Sequence, residues 1–252
     1  MALAKRGFNN VLLGHKEEEL QTAQQTITEA FPNAKTRIII VDAITATPNR
    51  ISDLMQELKD LNLTILVNNI GGIPTVRSQY YNRIDTISAQ LLQQTVALNA
   101  GFMAQLTRVA IPCLSRNGPS LILNVVSASL LGFPGAATYS GKKAFVTAFS
   151  KAVTREMKAD GLPIDVTVAM LGEVRTQANP VVPFGSLDAE AFGEAMIANV
   201  GRAIQTQRLV YHPWFGHAIQ DFVMDAIPTY LLEWILKQVF NEKGRVRGNK
   251  LS

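Results

Sequence analysis

Tyr139 and Lys143 stand four residues apart at the start of a helical pattern. That spacing puts both side chains on one helix face. An ammonium beside a phenol favours the phenolate and lowers the tyrosine pKa from its usual value of about 10. A tyrosine tuned in this way can act as a general acid or base near neutral pH. Ser127 lies ahead of the pair, just after the branched apolar run Leu121 to Val126. Such a run suits a buried strand. Ligands collect at the carboxyl ends of strands in open α/β sheets. The Ser127 hydroxyl could therefore hold a carbonyl or alcohol oxygen beside that of Tyr139, with Ser129 as the fallback hydroxyl. The bland alternative is a surface tyrosine packed on a lysine stem. No metal-ligand spacing competes with this chemistry: His15, His212 and His217 stand in no register with carboxylates. The last two flank Pro213, Trp214 and Gly216 and are expected to line a loop or pack beside Trp214.

The elements around the pair alternate in a βαβ manner. A helical scrap over Met1 to Arg6 ends at Gly7. Strands are expected over Asn10 to Leu13, Arg37 to Val41, Thr64 to Val67, Leu121 to Val126, Ile164 to Met170 and Leu209 to Tyr211. Helices are expected over Glu17 to Ala30, Asn49 to Leu61, Ile87 to Leu114 and Thr138 to Lys158. In the last of these, Ala144, Phe145, Ala148, Phe149, Ala152 and Val153 form the apolar face. This succession predicts a doubly wound parallel sheet between two helical layers, a Rossmann-type α/β/α fold.

At 252 residues, 47% of them hydrophobic, the chain fits one α/β domain with an ample core. The 17% charged content argues against disorder. Net charge is only +4, much of it in Lys243, Arg245, Arg247 and Lys250. The 241–252 segment reads as a solvated, partly disordered basic tail, able to touch an anionic membrane surface. Nothing beyond this charge suggests nucleic-acid binding. The lone Cys113 fits a reducing compartment and ordinary packing. The apolar stretch Ile219 to Phe240 is interrupted by Asp221, Asp225, Pro228, Glu233 and Lys237, so it reads as amphipathic helices and not a membrane span. Neither signal peptide nor repeat is evident. The 179–228 region, with Phe184, Phe192, Met196, Trp214, Phe215, Phe222 and Met224, reads as a substrate lid suited to an apolar ligand.

The order strand, Ser127, loop, Tyr139, Lys143, long helix resembles the active-site segment of the short-chain dehydrogenase/reductase family. Further motifs follow in family order over nearly the whole chain. Asn68-Asn69-Ile70-Gly71 resembles the turn that supports the central sheet and approaches the cofactor. Leu171-Gly172-Glu173-Val174-Arg175-Thr176 resembles the turn that closes on the nicotinamide, with Leu171 in place of a proline. Asn-Asn-Ile-Gly-Gly, Tyr-Ser-Gly-Lys-Lys-Ala-Phe and the His217-Ala218-Ile219-Gln220-Asp221 run resemble most closely the 17β-hydroxysteroid dehydrogenase and 3-ketoacyl-CoA reductase branch. The loop from Ser127 to Tyr139 is one residue shorter than is common there.

The resemblance implies roles. Ser127, Tyr139, Lys143 and Asn99 would be catalytic, Asn99 by holding a water in a proton relay to the lysine. Lys143 and Tyr139 would also meet the cofactor. So would His15 and Lys16 near the adenosine 2′-phosphate of NADP, Asp42 at the adenine, and Asn69, Val174 and Thr176. His15 stands where an arginine is expected. The activity implied is NADP(H)-dependent interconversion of a carbonyl and a secondary alcohol on a steroid, fatty-acyl or polyketide-like substrate. Homodimerisation through the helices of 87–114 and 139–158 is implied too. The expected location is the cytoplasm, including the cytosolic face of the endoplasmic reticulum. One departure is large. The family opens with a strand and a glycine-rich turn whose N–H groups meet the pyrophosphate. Gly7 and Gly14 are isolated, and no such turn occurs in the chain. The strand that would be central is therefore expected to be absent. The two strands beside its place are then expected to close up on each other or to have the gap filled by a partner chain, the alternative being that the sequence is a fragment or has a mispredicted start. A second reading follows from that loss, a catalytically impaired relative that serves as a binding or dimerisation scaffold.

Overall fold

The computed structural model describes every residue except 72–82, 128–131, 133, 177–178, 180–181, 183–185 and 249–252, and gives the backbone alone from 239 onward. Six strands are present among the described residues: β1 (Asn10–Gly14), β2 (Thr36–Ile40), β3 (Ile65–Asn68), β4 (Ser120–Ser127), β5 (Ile164–Leu171) and β6 (Val210–Tyr211). Eight helices accompany them: α1 (Glu17–Ala30), α2 (Pro48–Glu57), α3 (Ala89–Val96), α4 (Phe102–Arg116), α5 (Ala137–Ala159), α6 (Ala189–Gln205), α7 (Phe215–Ala226) and α8 (Thr229–Gly248).

All strand pairs are parallel, as the βαβ succession requires. They do not form one sheet. β1 pairs with β2, with Asn10 opposite Thr36, and the remaining strands form a second sheet in the order β3-β4-β5-β6. The place of the expected central strand lies between β1 and β3, and those two strands have not closed on one another. A cavity of about 970 Å³ separates them. Helices lie on both faces of the gap. Val11 and Leu13 of β1 pack with Ile39, Leu54, Phe102 and Leu106 on the side of α2 and α4. Gly14 points instead toward Leu20 of α1.

β4 is buried along almost its whole length and sends side chains to both layers. Ile122 meets Ala110 and Leu114 of α4 and Val153 and Met157 of α5. Leu121 and Leu123 face Val200 and Ala203 of α6. Each such side chain contributes roughly 1.5–3 kcal/mol by leaving water.

Three helical expectations are corrected. The long pattern expected over Ile87 to Leu114 divides into α3, a π-helical turn over Ala97–Gly101, and α4. The apolar face expected for α5 is mostly exposed. Val153 is buried and Phe149 half-buried, while Ala144, Phe145, Ala148 and Ala152 face outward. The inward face is built from Lys142, Lys143, Val146, Ser150, Val153 and Met157. Apolar periodicity misassigned the face because α5 buries polar groups that have partners inside. The basic tail is helical as far as Gly248, continuing α8. Among the described residues no helix is long and apolar enough to cross a membrane.

Candidate active site

A buried polar chain supports the floor of the site. Asn68, the last residue of β3, donates through Nδ2 to Asn124 Oδ1 at 2.8 Å and Thr107 Oγ1 at 3.1 Å. Asn124, fully buried in β4, donates onward to Ser150 Oγ at 2.7 Å. Ser150 then donates to the Val146 carbonyl of its own helix. Polar groups this deep are tolerated because each finds a partner. The chain ties β3, β4, α4 and α5 together below the loops that carry chemistry.

Lys143 rises from α5 with only 8% of its surface exposed. Its Nζ donates to the Val125 carbonyl at 3.0 Å, two residues before Ser127 ends β4. Burial pushes its ammonium down to about 8. Tyr139 sits one turn earlier on the same helix, half-buried. The Lys143 Nζ lies 5.8 Å from the centre of its ring. Asn99 belongs to the π-helical turn and is buried. Its Nδ2 donates to the Thr95 carbonyl at 2.7 Å. A side chain built at Gly71 would meet Asn99 Oδ1 at 3.2 Å and Lys143 Nζ at 3.5 Å. The Asn68-Asn69-Ile70-Gly71 turn therefore brings the asparagine and the lysine to one point, and only glycine leaves that point open. Single π turns inside helices occur often at functional sites. Here the turn carries the buried Asn99 that faces Gly71.

Lys142 was not singled out by the sequence reading. It is 4% exposed, with Nζ 4.0 Å over the Tyr139 ring, nearer than Lys143. Burial, reinforced by Lys143, pushes it down to about 6. At neutral pH it is thus an amine resting on the ring, and cation–π attraction acts below that range. Its i, i+3 spacing from Tyr139 was the available signal, although two adjacent lysines ordinarily read as surface.

The expected cofactor residues lie at the carboxyl ends of the strands, spread over several turns. His15 and Lys16 are exposed beyond β1, and Lys16 Nζ contacts Glu19 at 2.7 Å. Asp42 spends its carboxylate on its own turn, accepting from Ile44 N–H at 2.9 Å and the Thr45 hydroxyl at 3.2 Å. Asn69 is exposed above β3. Val174 is buried and Thr176 exposed in the turn after β5. Asn179 ties that turn, donating from its backbone N–H to Thr176 Oγ1 at 3.0 Å and from Nδ2 to Glu173 at 2.6 Å. Ser129, Phe184, Gly72 and Lys250 lie outside the described residues.

His217 is 3% exposed and packs edge-on against Trp214, ring centres 5.1 Å apart, as expected of a packing histidine. Burial lowers its pKa, with the Glu173 backbone acting in the opposite direction. A side chain at Gly172 would strike His217 Cδ2 at 2.7 Å and Gln220 Oε1 at 2.5 Å. That close approach seats α7 on the turn after β5, a relation that no sequence spacing announced. His212 Nε2 faces Asp221 at 3.1 Å. Among the described residues no cluster of His, Cys, Asp and Glu could hold a metal ion.

Parallel strands between helical layers, with a Tyr–Lys turn of helix at their carboxyl ends, define an α/β protein of the doubly wound class. Solved structures share the fold. A 7beta-hydroxysteroid dehydrogenase superposes with a TM-score of 0.70 at 19% identity, covering 98% of this chain and 89% of that one. A short-chain dehydrogenase from Sphingobium yanoikuyae in complex with NADPH gives 0.67 at 18% identity, covering 90% and 89%. Residues 1–183 match the short chain dehydrogenase family, and the chain belongs to it. Curated relatives include a very-long-chain 3-oxoacyl-CoA reductase of Pyricularia oryzae, 26% identical over 87% of this chain and 66% of that protein. The Rattus norvegicus protein of the same name is 27% identical over 92% of this chain and 70% of its own length. The chain spans about two thirds of the length of these relatives.

Proposed function

We propose that this chain is an NADP(H)-dependent oxidoreductase that interconverts a 3-oxo group and a secondary alcohol on a fatty-acyl thioester. One observation carries the reading: Lys143 Nζ and Asn99 Oδ1 converge on Gly71 while the same helix turn presents Tyr139. The bound dinucleotide would supply the hydride. The Tyr139 hydroxyl gives its proton to the carbonyl oxygen, and positive charge at Lys143 favours the phenolate left behind. Ser127 orients that oxygen from the end of β4. Lys143 and Asn99 pass the replacement proton through water held between them.

The chain's residues fit a dinucleotide at its reacting end. Gly71 keeps the backbone free of a side chain beside Asn99 and Lys143, and Lys143 supplies a donor there. Val174 and Thr176, in the turn after β5, and Asn69, in the turn after β3, would meet that end of the cofactor. At the far end, β1 is followed by His15 and Lys16 and by no carboxylate at its last residue, which favours a 2′-phosphate over a bare ribose. Asp42, whose carboxylate closes its own turn, would stand beside the adenine. The exposed Lys16–Glu19 pair is worth about 0.2–1 kcal/mol, too little to keep the lysine from a phosphate. The names of the relatives support an acyl thioester, as do Phe215, Ile219 and Phe222, exposed on the α7 helix that rests on Gly172. Exposed Leu92, Val96 and Phe145 on α3 and α5 support a homodimer through that face. Phe145→Asp should then turn a dimer into a monomer in light-scattering chromatography.

The test is NADPH oxidation with a series of 3-oxoacyl-CoA esters, comparing the parent chain with Tyr139→Phe. Losing the proton donor should lower kcat by about 10²–10⁴-fold while NADPH affinity stays within a few-fold. A folded chain that binds NADPH yet turns over no ester of any length would discard the substrate assignment. A Tyr139→Phe variant of unchanged kcat would discard the mechanism.

A further inference from the structure

We propose that Lys142 is a second reactive centre of this chain, an amine nucleophile that condenses with the ketone of a 1,3-dicarbonyl compound such as a 3-oxo ester or thioester. The hydride-transfer chemistry above leaves this lysine unused. Lys142 lies three residues beyond Tyr139 on α5, so the two side chains share a helix face. Its Nζ stands 4.0 Å from the centre of the Tyr139 ring, against 5.8 Å for that of Lys143. Lys143 spends its Nζ on the Val125 carbonyl. Of the two adjacent lysines, Lys142 is therefore the one that rests on the phenol. Both are buried.

Burial beside a second cationic group is the setting that makes a lysine nucleophilic. Loss of hydration, and then repulsion by Lys143, push Lys142 down to about 6, so its nitrogen carries a lone pair at neutral pH. An exposed lysine, near 10.4, is almost wholly protonated there. The stem of Lys142 is a flexible four-carbon chain and Tyr139 is only half-buried, so the amine can be carried along the ring face toward the hydroxyl. The lone pair forms a C–N bond to the ketone carbon while the carbonyl π pair moves to oxygen, which takes the Tyr139 hydroxyl proton. The nitrogen returns a proton to the phenolate, giving a neutral carbinolamine. Nitrogen then expels the hydroxyl, which leaves as water with the Tyr139 proton. The phenolate removes a proton from the carbon between the two carbonyls, and an enamine conjugated with the second carbonyl remains. Amine and dicarbonyl thus give an enaminone and water, with no oxidant or reductant. Conjugation selects 1,3-dicarbonyl compounds over simple ketones, whose imines hydrolyse readily in water. The step shares the 3-oxo group with the proposed function but is independent of NADP(H).

The experiment incubates the full chain with acetylacetone at about pH 7, without NADPH. The enaminone is read by its ultraviolet absorbance and by intact mass, a gain of one diketone less one water per site, and peptide mapping locates it. Lys142 should be labelled at least about tenfold faster than the exposed Lys59 and Lys151. The preference should vanish in urea, because it comes from the fold. Lys142→Arg keeps the cation and should lose the fast label. Tyr139→Phe should slow labelling at Lys142 at least about tenfold while Lys59 keeps its rate. Should Lys142→Arg fail to fold, the peptide map of the parent chain decides by itself. Equal labelling of Lys142 and the exposed lysines, preference for Lys143, or an unchanged rate in Tyr139→Phe would each overturn the proposal. Fast labelling of Lys142 in a chain that reduces no 3-oxoacyl ester would uphold it while the proposed reductase fell. Reduction of such esters with Lys142 left unlabelled would overturn this inference alone.

Discussion

Two lysines buried side by side on α5 make the stability of this protein depend on pH at the level of single protons. Lys142 is pushed down to about 6 and Lys143 to about 8, both mainly by burial. An unfolded lysine titrates near 10.4. Between the folded and unfolded values the unfolded chain holds more protons, so stability rises with pH. One proton of difference corresponds to about 1.4 kcal/mol per pH unit, acting from about pH 6 for Lys142 and joined above about pH 8 by Lys143. Lys142→Met should remove the first of these slopes and raise the urea midpoint at pH 6–7. Equal slopes in parent and variant between pH 6 and 8 would show that Lys142 is not buried as a base. Asn124 gives a second test. Asn124→Ala breaks the links to Asn68 and Ser150, though each keeps one other partner, Thr107 and the Val146 carbonyl. Lost bonds plus a small void should cost about 2–3 kcal/mol in denaturant unfolding. A cost below about 0.5 kcal/mol would mean the chain of bonds does not stabilise the sheet.

Elements set how well these residues could be read beforehand. The strands, the Tyr139–Lys143 turn and the turn after β3 were legible because short apolar runs and fixed spacings are local properties. The outward face of α5 was not, since periodicity counts apolar residues and cannot see that Ser150 and Lys143 have partners within. The π turn at Asn99 was hidden for a similar reason: one extra residue in a helix leaves the composition unchanged. The seat of α7 on Gly172 joins positions more than forty residues apart and depends on chain reversal through α6 and β6. That seat gives a prediction about an element. Gly172→Ala would place a methyl 2.7 Å from His217 Cδ2. His217 is wedged between Phe192 and Trp214 and cannot swing away, so α7 must shift as a unit. Overpacking of this kind costs about 1–3 kcal/mol. Since Tyr139 and Lys143 are untouched, KM for the acyl substrate should rise several-fold with little change in kcat. An unchanged KM would separate α7 from the substrate path.

Across the whole molecule the apolar surface is unevenly shared. Phe215 is 71% exposed, Phe222 74%, Tyr230 76% and Trp234 59%, all on α7 and α8. Phe215, Ile219 and Phe222 recur at helical spacing and form one stripe. Large exposed aromatics grouped in this way mark a binding surface more often than scattered single residues do. The sequence beyond them carries Lys243, Arg245, Arg247 and Lys250. Aromatic residues followed by basic ones suit the interface of an anionic bilayer, with about 1 kcal/mol expected per lysine or arginine near the surface. The hypothesis is a peripheral attachment through α7 and α8, which would bring an acyl substrate from the bilayer to the Gly172 side of the site. Vesicles of phosphatidylserine and phosphatidylcholine should cosediment the chain, and raising salt from 0.1 to about 1 M should weaken binding as the Debye length falls from about 10 to 3 Å. Phe222→Asp with Trp234→Asp should reduce binding at least about tenfold while leaving Tm nearly unchanged, since both side chains face water in the free protein. Vesicle binding indifferent to both substitutions would move the contact elsewhere. Absence of binding at low salt would leave the stripe to another protein surface, and the acyl chain would then have to enter from solution.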